Sequence, residues 1–229
     1  LKEIHVLPPK SMDAVNINIP GDFSSAAFFV LAALITPGSD LKLKNIGINK
    51  TRIALLEVLK GMGADIKLSN VINEYEPCAD ISIRASKLKG ITLNPKLVPN
   101  LIDELPVLFI AASLAEGQTI IRGAEELREK ESDRLEAMSN SLKMLRVKFK
   151  MYDDGIDIQG LNQEVHTSNS GMPFEASRIN SFGDHRIAMT SAIACTRANE
   201  KSYIEDTKNV TTSFPNFLEI CEEVGLDIK

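Results

Sequence analysis

No apolar run in this chain reaches the ~18–20 residues that a membrane-crossing helix needs, so no membrane partner is expected. Cysteine is scarce: Cys78, Cys195 and Cys221 lie far apart and form no CxxC pair. That argues against a disulfide framework or a zinc site and fits a reducing, cytoplasmic setting. The three histidines, His5, His166 and His185, have no metal-ligand spacing, and no metal is expected. The glycines form neither GxGxxG nor GxxxxGKS/T, so no nucleotide loop is visible. An excess of positive charge is also lacking. Lys and Arg number 26 against 31 Asp and Glu, a net charge of −5, so no global basic field draws nucleic acid. Any anion site must be local, assembled against that overall sign.

What is present is ordinary in amount, with 44% apolar and 25% charged residues over 229 positions, enough for one large domain or one domain and a piece of another. The order is more telling. The stretch 181–194 reads Ser-Phe-Gly-Asp-His-Arg-Ile-Ala-Met-Thr-Ser-Ala-Ile-Ala. Its second half is a buried helix by composition, and Asp184 sits where an N-cap belongs. His185 and Arg186 then fall in the first turn, where the helix dipole disfavours cations by about 0.3–1 kcal/mol each. An anion at the helix start resolves that conflict.

The arrangement recurs. Asp22, Asp103 and Asp184 stand 81 residues apart in turn, each ahead of an apolar run (23–35, 105–115 and 187–194). After each run the pattern predicts a strand (41–46, 119–122, 202–205), an amphipathic helix (51–62, 132–145, 213–224) and a short strand (64–68, 147–151, 226–228). A period of this kind marks a repeated supersecondary unit that buries its face against its neighbours. Three units are expected, about 21–100, 101–180 and 181–229, closing into one domain. Strands are also predicted at 80–85 and 90–93. Asp153-Asp154-Gly155 reads as a hairpin turn between 147–151 and 156–158. The segment 69–80 reads as a turn or flexible hairpin, and 161–177 as an exposed loop. Unit three lacks the returning hairpin of unit two, which leaves an open edge or room for a strand from elsewhere. Residues 1–20 precede the repeat and read as two strands, 3–7 and 14–19, belonging to something upstream. A preceding segment is expected, since the chain opens on Leu1.

The densest charge cluster is Arg128-Glu129-Lys130-Glu131-Ser132-Asp133-Arg134. Lys130 and Arg134 share one face of a helix start, a like-charge pair that costs about 0.2–0.5 kcal/mol. A solvated, salt-bridged helix start explains it, and so does an anion clamp beside a carboxylate. Asp103 reads as an N-cap in isolation, and Ser24-Ser25 reads as an ordinary helix start. In a threefold domain the helix starts converge, so Asp103, Lys130, Glu131, Arg134, His185 and Arg186 would face one site. Asp103 and Glu131 would border it, not paired away in bidentate salt bridges. Carboxylates among fixed cations suit acid–base work on an anionic substrate.

Several stretches together resemble the 5-enolpyruvylshikimate-3-phosphate synthase family of enolpyruvyl transferases. They are Pro20-Gly21-Asp22-Phe23-Ser24-Ser25, Asp103-Glu104-Leu105-Pro106, Lys130-Glu131-Ser132-Asp133-Arg134-Leu135, Gly183-Asp184-His185-Arg186-Ile187-Ala188-Met189 and Ser213-Phe214-Pro215-Asn216-Phe217. The related UDP-N-acetylglucosamine enolpyruvyl transferase has the fold without this motif combination. The resemblance implies an inside-out α/β barrel, or α/β prism, with helices inside and mixed strands outside. It implies that this chain matches the second of two such domains, with residues 1–20 coming from the first domain and the crossover. The implied reaction transfers the enolpyruvyl group of phosphoenolpyruvate to the 5-hydroxyl of shikimate 3-phosphate and releases phosphate, without a cofactor. On the same ground Asp103 is the base and binds shikimate. Lys130 lies near the reacting hydroxyl, and Glu131 gives a proton to the methylene carbon. Arg134 and Arg186 bind phosphoenolpyruvate, His185 supports them, and Glu126 stands where some members contact the shikimate phosphate. Thr212 replaces a lysine found in some members. The competing reading is a catalytically silent anion-binding module on the same fold. The chain alone is expected to be inactive, and self-association through its open edge is expected.

Overall fold

Three helices that are apolar on every side have no stable place except the interior. The computed structural model describes residues 3–161 and 172–229, and His166 and most of the expected 161–177 loop fall outside that range. In chain order the elements are α1 (Phe23–Ile35), β1 (Asp40–Gly47), α2 (Ala54–Gly61), β2 (Asp65–Ile72), β3 (Cys78–Arg84), α3 (Leu105–Ser113), β4 (Gln118–Ile121), α4 (Arg134–Met144), β5 (Lys148–Tyr152), β6 (Gly155–Gln159), β7 (Arg178–Asn180), α5 (His185–Cys195), β8 (Tyr203–Glu205), α6 (Val210–Ser213) and α7 (Phe217–Glu223). All of α3 and all of α1 except Ser25 are buried. Helices α1, α3 and α5 pack pairwise on one another, and the alanines of α1 let them approach closely.

Two three-stranded antiparallel sheets lie around the helices, ordered β1-β3-β2 and β4-β6-β5. In each, the last strand in sequence inserts between the other two. The Asp-Gly signal forms its hairpin, with Tyr152 paired to Gly155. A Cβ at Gly155 would lie 2.0 Å from the Ile121 carbonyl oxygen, so the close approach of β4 demands glycine there. The third sheet has two strands, β7 and β8, in parallel. Beside β8, a cavity of about 770 Å³ opens between α5, α6, α7 and residues 227–229.

The last helix returns to the first. Phe217 packs against Phe28 and Phe29 with ring centroids 6.2 and 6.0 Å apart, and Phe214 meets Phe29 at 6.1 Å.

Several expected strands are absent, for one physical reason: alternation makes a strand only where a neighbour supplies hydrogen bonds. Residues 3–7 and 14–19 have no secondary structure and no partner strand among the described residues, and they leave Ile4, Val15, Ile17 and Ile19 exposed. Pairing begins at Gly21, whose N–H donates to the Asn45 carbonyl at 2.8 Å. Residues 226–228 are likewise not a strand. The 90–93 strand shrinks to isolated bridges such as Thr92 to Ile120, cut short by the 3₁₀ turn Pro95–Asn100. The helix expected over 213–224 divides into α6 and α7 at Phe214-Pro215, since a residue before proline resists the helical conformation. The expected turn or hairpin at 69–80 is a hairpin, with β2 running to Ile72 and β3 starting at Cys78. In the expected 161–177 loop, Phe174 is buried and bridges Ala198.

Asp80, on the central strand β3, pins both neighbours. Its carboxylate accepts from the Asn45 backbone N–H at 3.1 Å and the Asn70 side chain at 2.8 Å, and lies 3.1 Å from Lys42 Nζ. Asn45 and Asn70 both have left-handed backbones, at φ 52° and 51°, where each outer strand shifts register. These hydrogen bonds, that from Asn45 foremost, lower the Asp80 pKa from 3.8 to about 2. A lowered native pKa stabilises the fold above the unfolded value and loses that contribution as pH falls through the native one. Thermal melts should therefore show the wild type losing stability more steeply than Asp80→Asn between pH 4 and 2, the two converging at the acid end. Parallel curves would refute the assignment.

Candidate active site

Three helix starts meet at one end of the domain, because α3, α4 and α5 pack on one another. Asp184 caps α5 by accepting from the Arg186 N–H at 2.8 Å. Asp133 caps α4 by accepting from the Glu136 N–H at 2.9 Å. Arg128 fixes that cap. It donates to Asp133 at 2.7 Å and to the carbonyls of Asp153 and Tyr152 at 2.9 and 3.1 Å, so the β5–β6 turn holds residues 130–134 in place. The start of α3 differs. Asp103 lies in a 3₁₀ turn, Ile102–Glu104, and Glu104 takes the N-cap position without capping anything. The 81-residue spacing equates Asp103 with the two caps, but the structural equivalents are Asp22, Glu104 and Asp184. A single-residue slip frees Asp103 from the helix end.

Asp103 turns instead to two guanidinium groups. Arg134 donates through Nη1 to Asp103 at 3.0 Å, through Nε to Asp184 at 2.8 Å, and through Nη2 to Glu131. Its side chain is 1% exposed and Asp184 is wholly buried. Asp184 also accepts from the Ser132 hydroxyl at 3.2 Å. Arg186 donates through Nη1 to the Asp103 carbonyl at 3.2 Å and reaches the Asp103 carboxylate through Nη2 at 3.5 Å. The Asp103 carboxylate thus bridges both arginines, one oxygen to each. Lys130 pairs with Glu126 at 2.5 Å.

Charge follows geometry. Burial alone would raise the Asp103 pKa, but Arg186, Arg134 and Lys130 outweigh it and hold the carboxyl below its ordinary 3.8. Asp103 is therefore an anion at neutral pH. Burial, with Arg186 adding to it, pushes His185 below its ordinary 6.5, so its imidazole is neutral there. Burial pushes the Glu104 carboxyl up, against the pull of the Ser24 hydroxyl. One end of the domain therefore offers a fixed carboxylate, a neutral imidazole and three cations, as proton transfer on an anionic ligand requires.

Of the residues singled out in the sequence, Asp103, Glu131, Arg134 and Arg186 form one contact chain. Lys130 acts on Asp103 through charge, and His185 adjoins Arg186. Asp103 and Glu131 each engage Arg134 through one oxygen, so neither forms a bidentate pair with it, and Glu126 engages Lys130. Thr212 lies in α6. The sequence reading passed over Arg52, Glu104 and Ser132, and it saw Asp184 only as a cap. Their partners lie 28 to 80 residues away, and no local pattern marks such pairs. Among the described residues, no cluster of three or more His, Cys, Asp or Glu could hold a metal ion, and no helix is long and apolar enough to cross a membrane.

The mixed α/β fold is one that enolpyruvyl transferases adopt. The enolpyruvyl transferase NikO from Streptomyces tendae superimposes with a TM-score of 0.67 over 93% of this chain and 45% of that one, at 14% identity. The EPSP synthase structure from Acinetobacter baumannii determined at 2.37 Å superimposes with a TM-score of 0.86 at 45% identity, covering 92% of this chain and 47% of that one. A family model described as EPSP synthase (3-phosphoshikimate 1-carboxyvinyltransferase) matches residues 2–221, and this chain belongs to that family. It is 46% identical over 219 residues to the 3-phosphoshikimate 1-carboxyvinyltransferase of Coxiella burnetii (strain RSA 493 / Nine Mile phase I), covering 95% of this chain and 48% of that protein. It is 50% identical over 204 residues to that of Legionella pneumophila (strain Corby), covering 88% and 44%. The chain spans about half the length of the curated relatives it matches.

Proposed function

We propose that this chain supplies half of an active site that transfers the enolpyruvyl group of phosphoenolpyruvate to the 5-hydroxyl of shikimate 3-phosphate, with release of phosphate. The observation that carries the reading is Asp103, an ionised carboxylate bridging Arg134 and Arg186 beside Glu131 and Lys130. The hydroxyl oxygen bonds to C2 of phosphoenolpyruvate, and the C2–O bond to phosphate breaks. Asp103 takes the hydroxyl proton, which ends on the released phosphate. Glu131 gives a proton to the methylene carbon and recovers one as phosphate leaves and the double bond re-forms. Lys130 lies by the reacting hydroxyl, Glu126 near the shikimate phosphate. Arg186 with Arg134 behind it receives the phosphoenolpyruvate anion, and His185 supports that face. No cofactor takes part.

The domain reading goes with it: a prism of three β-α-β-α-β-β units over about 21–100, 101–180 and 181–229, with residues 1–20 leading in from a first domain. Three mutually packed helices with sheets outside support that reading. The first domain closes the cleft and is the chain's partner. Without it the two-stranded third sheet is free to pair with a second copy. The setting is the cytoplasm, on the aromatic amino-acid pathway.

The test is phosphate release with both substrates. A full-length enzyme carrying this chain should turn over and the 229-residue chain alone should not, since a half-cleft cannot exclude water or complete the anion site. Silence from the full-length enzyme would overturn the function. Full turnover by the chain alone would overturn the division of labour.

A further inference from the structure

Glu104 is a buried carboxyl that the proposed chemistry leaves without a role. It is 3% exposed, and it stands at the N-cap position of α3 without accepting from that helix. Its Oε1 accepts the Ser24 hydroxyl of α1 at 2.6 Å and lies 3.5 Å from Arg186 Nη1 of α5. One side chain therefore joins the starts of all three central helices. Ser24 in turn accepts from Nη2 of the exposed Arg52 at 2.9 Å. Burying an ionisable carboxyl is unfavourable unless charge and hydrogen bonds compensate it, and here the compensation comes from Arg186, Ser24 and Arg52. The same contacts constrain Arg186. Its Nη1 donates to the Asp103 carbonyl at 3.2 Å and faces Glu104 on the other side, so the guanidinium is held between two anchors.

We propose that Glu104 is a positioning residue, tethered by Ser24, that fixes the Arg186 guanidinium beside Asp103 in the orientation that receives the anionic substrate. The inference rests on the reading of Arg186 as the phosphoenolpyruvate ligand, but its geometric half stands alone. Glu104 touches no reacting atom and acts through Arg186. Ser24→Ala should loosen Glu104 and so act on Arg186 in the same direction, more weakly.

Two measurements test it. In the 229-residue chain, ¹⁵N spectra of the arginine side chains report the Arg186 guanidinium directly. Glu104→Gln, which keeps the side-chain size and an acceptor for Ser24, should shift the Arg186 signals and speed rotation about its Cζ–Nε bond at least threefold, with the Arg134 signals unmoved. In a full-length enzyme carrying this chain, Glu104→Gln should raise the KM for phosphoenolpyruvate about tenfold. The KM for shikimate 3-phosphate and kcat should change less than about threefold. Should Glu104→Gln fail to fold, Ser24→Ala gives the same pair of readings in the same direction and smaller, with the Arg186 signals still shifting and the KM for phosphoenolpyruvate still rising more than that for shikimate 3-phosphate. Unmoved Arg186 signals would overturn the positioning role, as would equal changes in both KM values. If the wild-type full-length enzyme is silent, the proposed function fails while the arginine spectra still decide what Glu104 holds.

Discussion

Asp103→Asn should lower kcat by about 10²- to 10⁴-fold in a full-length enzyme carrying this chain, the span usual for loss of a general base. The amide keeps an acceptor for Arg134 Nη1 and the side-chain size while removing the charge and the weaker 3.5 Å contact to Arg186. Both KM values should change much less, because the lost interaction belongs to proton transfer. The pH dependence provides a second check. Arg186, Arg134 and Lys130 together hold the Asp103 pKa below 3.8, so the carboxylate form persists throughout the neutral and mildly acid range. A base held so low is weak. It becomes effective where a substrate anion draws on Arg186 and lessens its hold. The pH profile of kcat/KM, which reports the free enzyme, should thus show no acid limb from Asp103 above pH 4. A variant that keeps more than about a third of wild-type kcat would remove Asp103 from the chemistry.

Arg134→Met should cost about 3–5 kcal/mol of stability, because truncating one member of a buried ion cluster leaves the others uncompensated. For a chain of this size that is a fall in melting temperature of about 6–20 °C. Asp184 carries most of the effect. It is wholly buried, and its Oδ2 atom faces Arg134 Nε at 2.8 Å. Glu131 and Asp103 are partly solvated and can turn to water. The double variant Arg134→Met with Asp184→Asn should recover part of the loss, since the two residues are coupled and their effects do not add. Melts of the 229-residue chain by circular dichroism decide it. A fall under 2 °C would show that the cluster is not structural. The sequence reading saw in Arg134 a substrate ligand. At 1% exposure it also locks Asp103, Glu131 and Asp184 together, and Arg186 is the more accessible of the two guanidinium groups.

What the sequence makes legible is what short-range rules govern. Helix α1 begins and ends where its apolar run does, 23–35. Asp22 and Asp184 cap as their positions suggest, and the Asp-Gly pair turns the β5–β6 hairpin. Beyond a few residues those rules have no purchase. A strand needs a neighbour, so the alternating segments 3–7 and 14–19 carry the right pattern and form nothing. The one-residue difference between Asp103 and Glu104 decides which carboxylate meets Arg134 and which is sealed against Ser24, and only the packing of α3 on α1 and α5 sets it. The grouping of Asp103, Glu131, Arg134 and Arg186 was readable because the repeat brings helix starts to one end. Their pairing was not, because a guanidinium chooses among carboxylates by distance and angle.

The aromatic clasp of Phe214 and Phe217 on Phe28 and Phe29 also bears on how the molecule assembles. These rings are almost two hundred positions apart along the chain. Entropy charges little extra at equilibrium for so long a loop, about 0.6 kcal/mol per doubling of length. Kinetics charges more, because contacts between distant positions slow the search for the native topology. Within the two antiparallel sheets the β2–β3 and β5–β6 pairs close over short loops and can form early. By that argument the seating of α7 on α1 is expected late in folding.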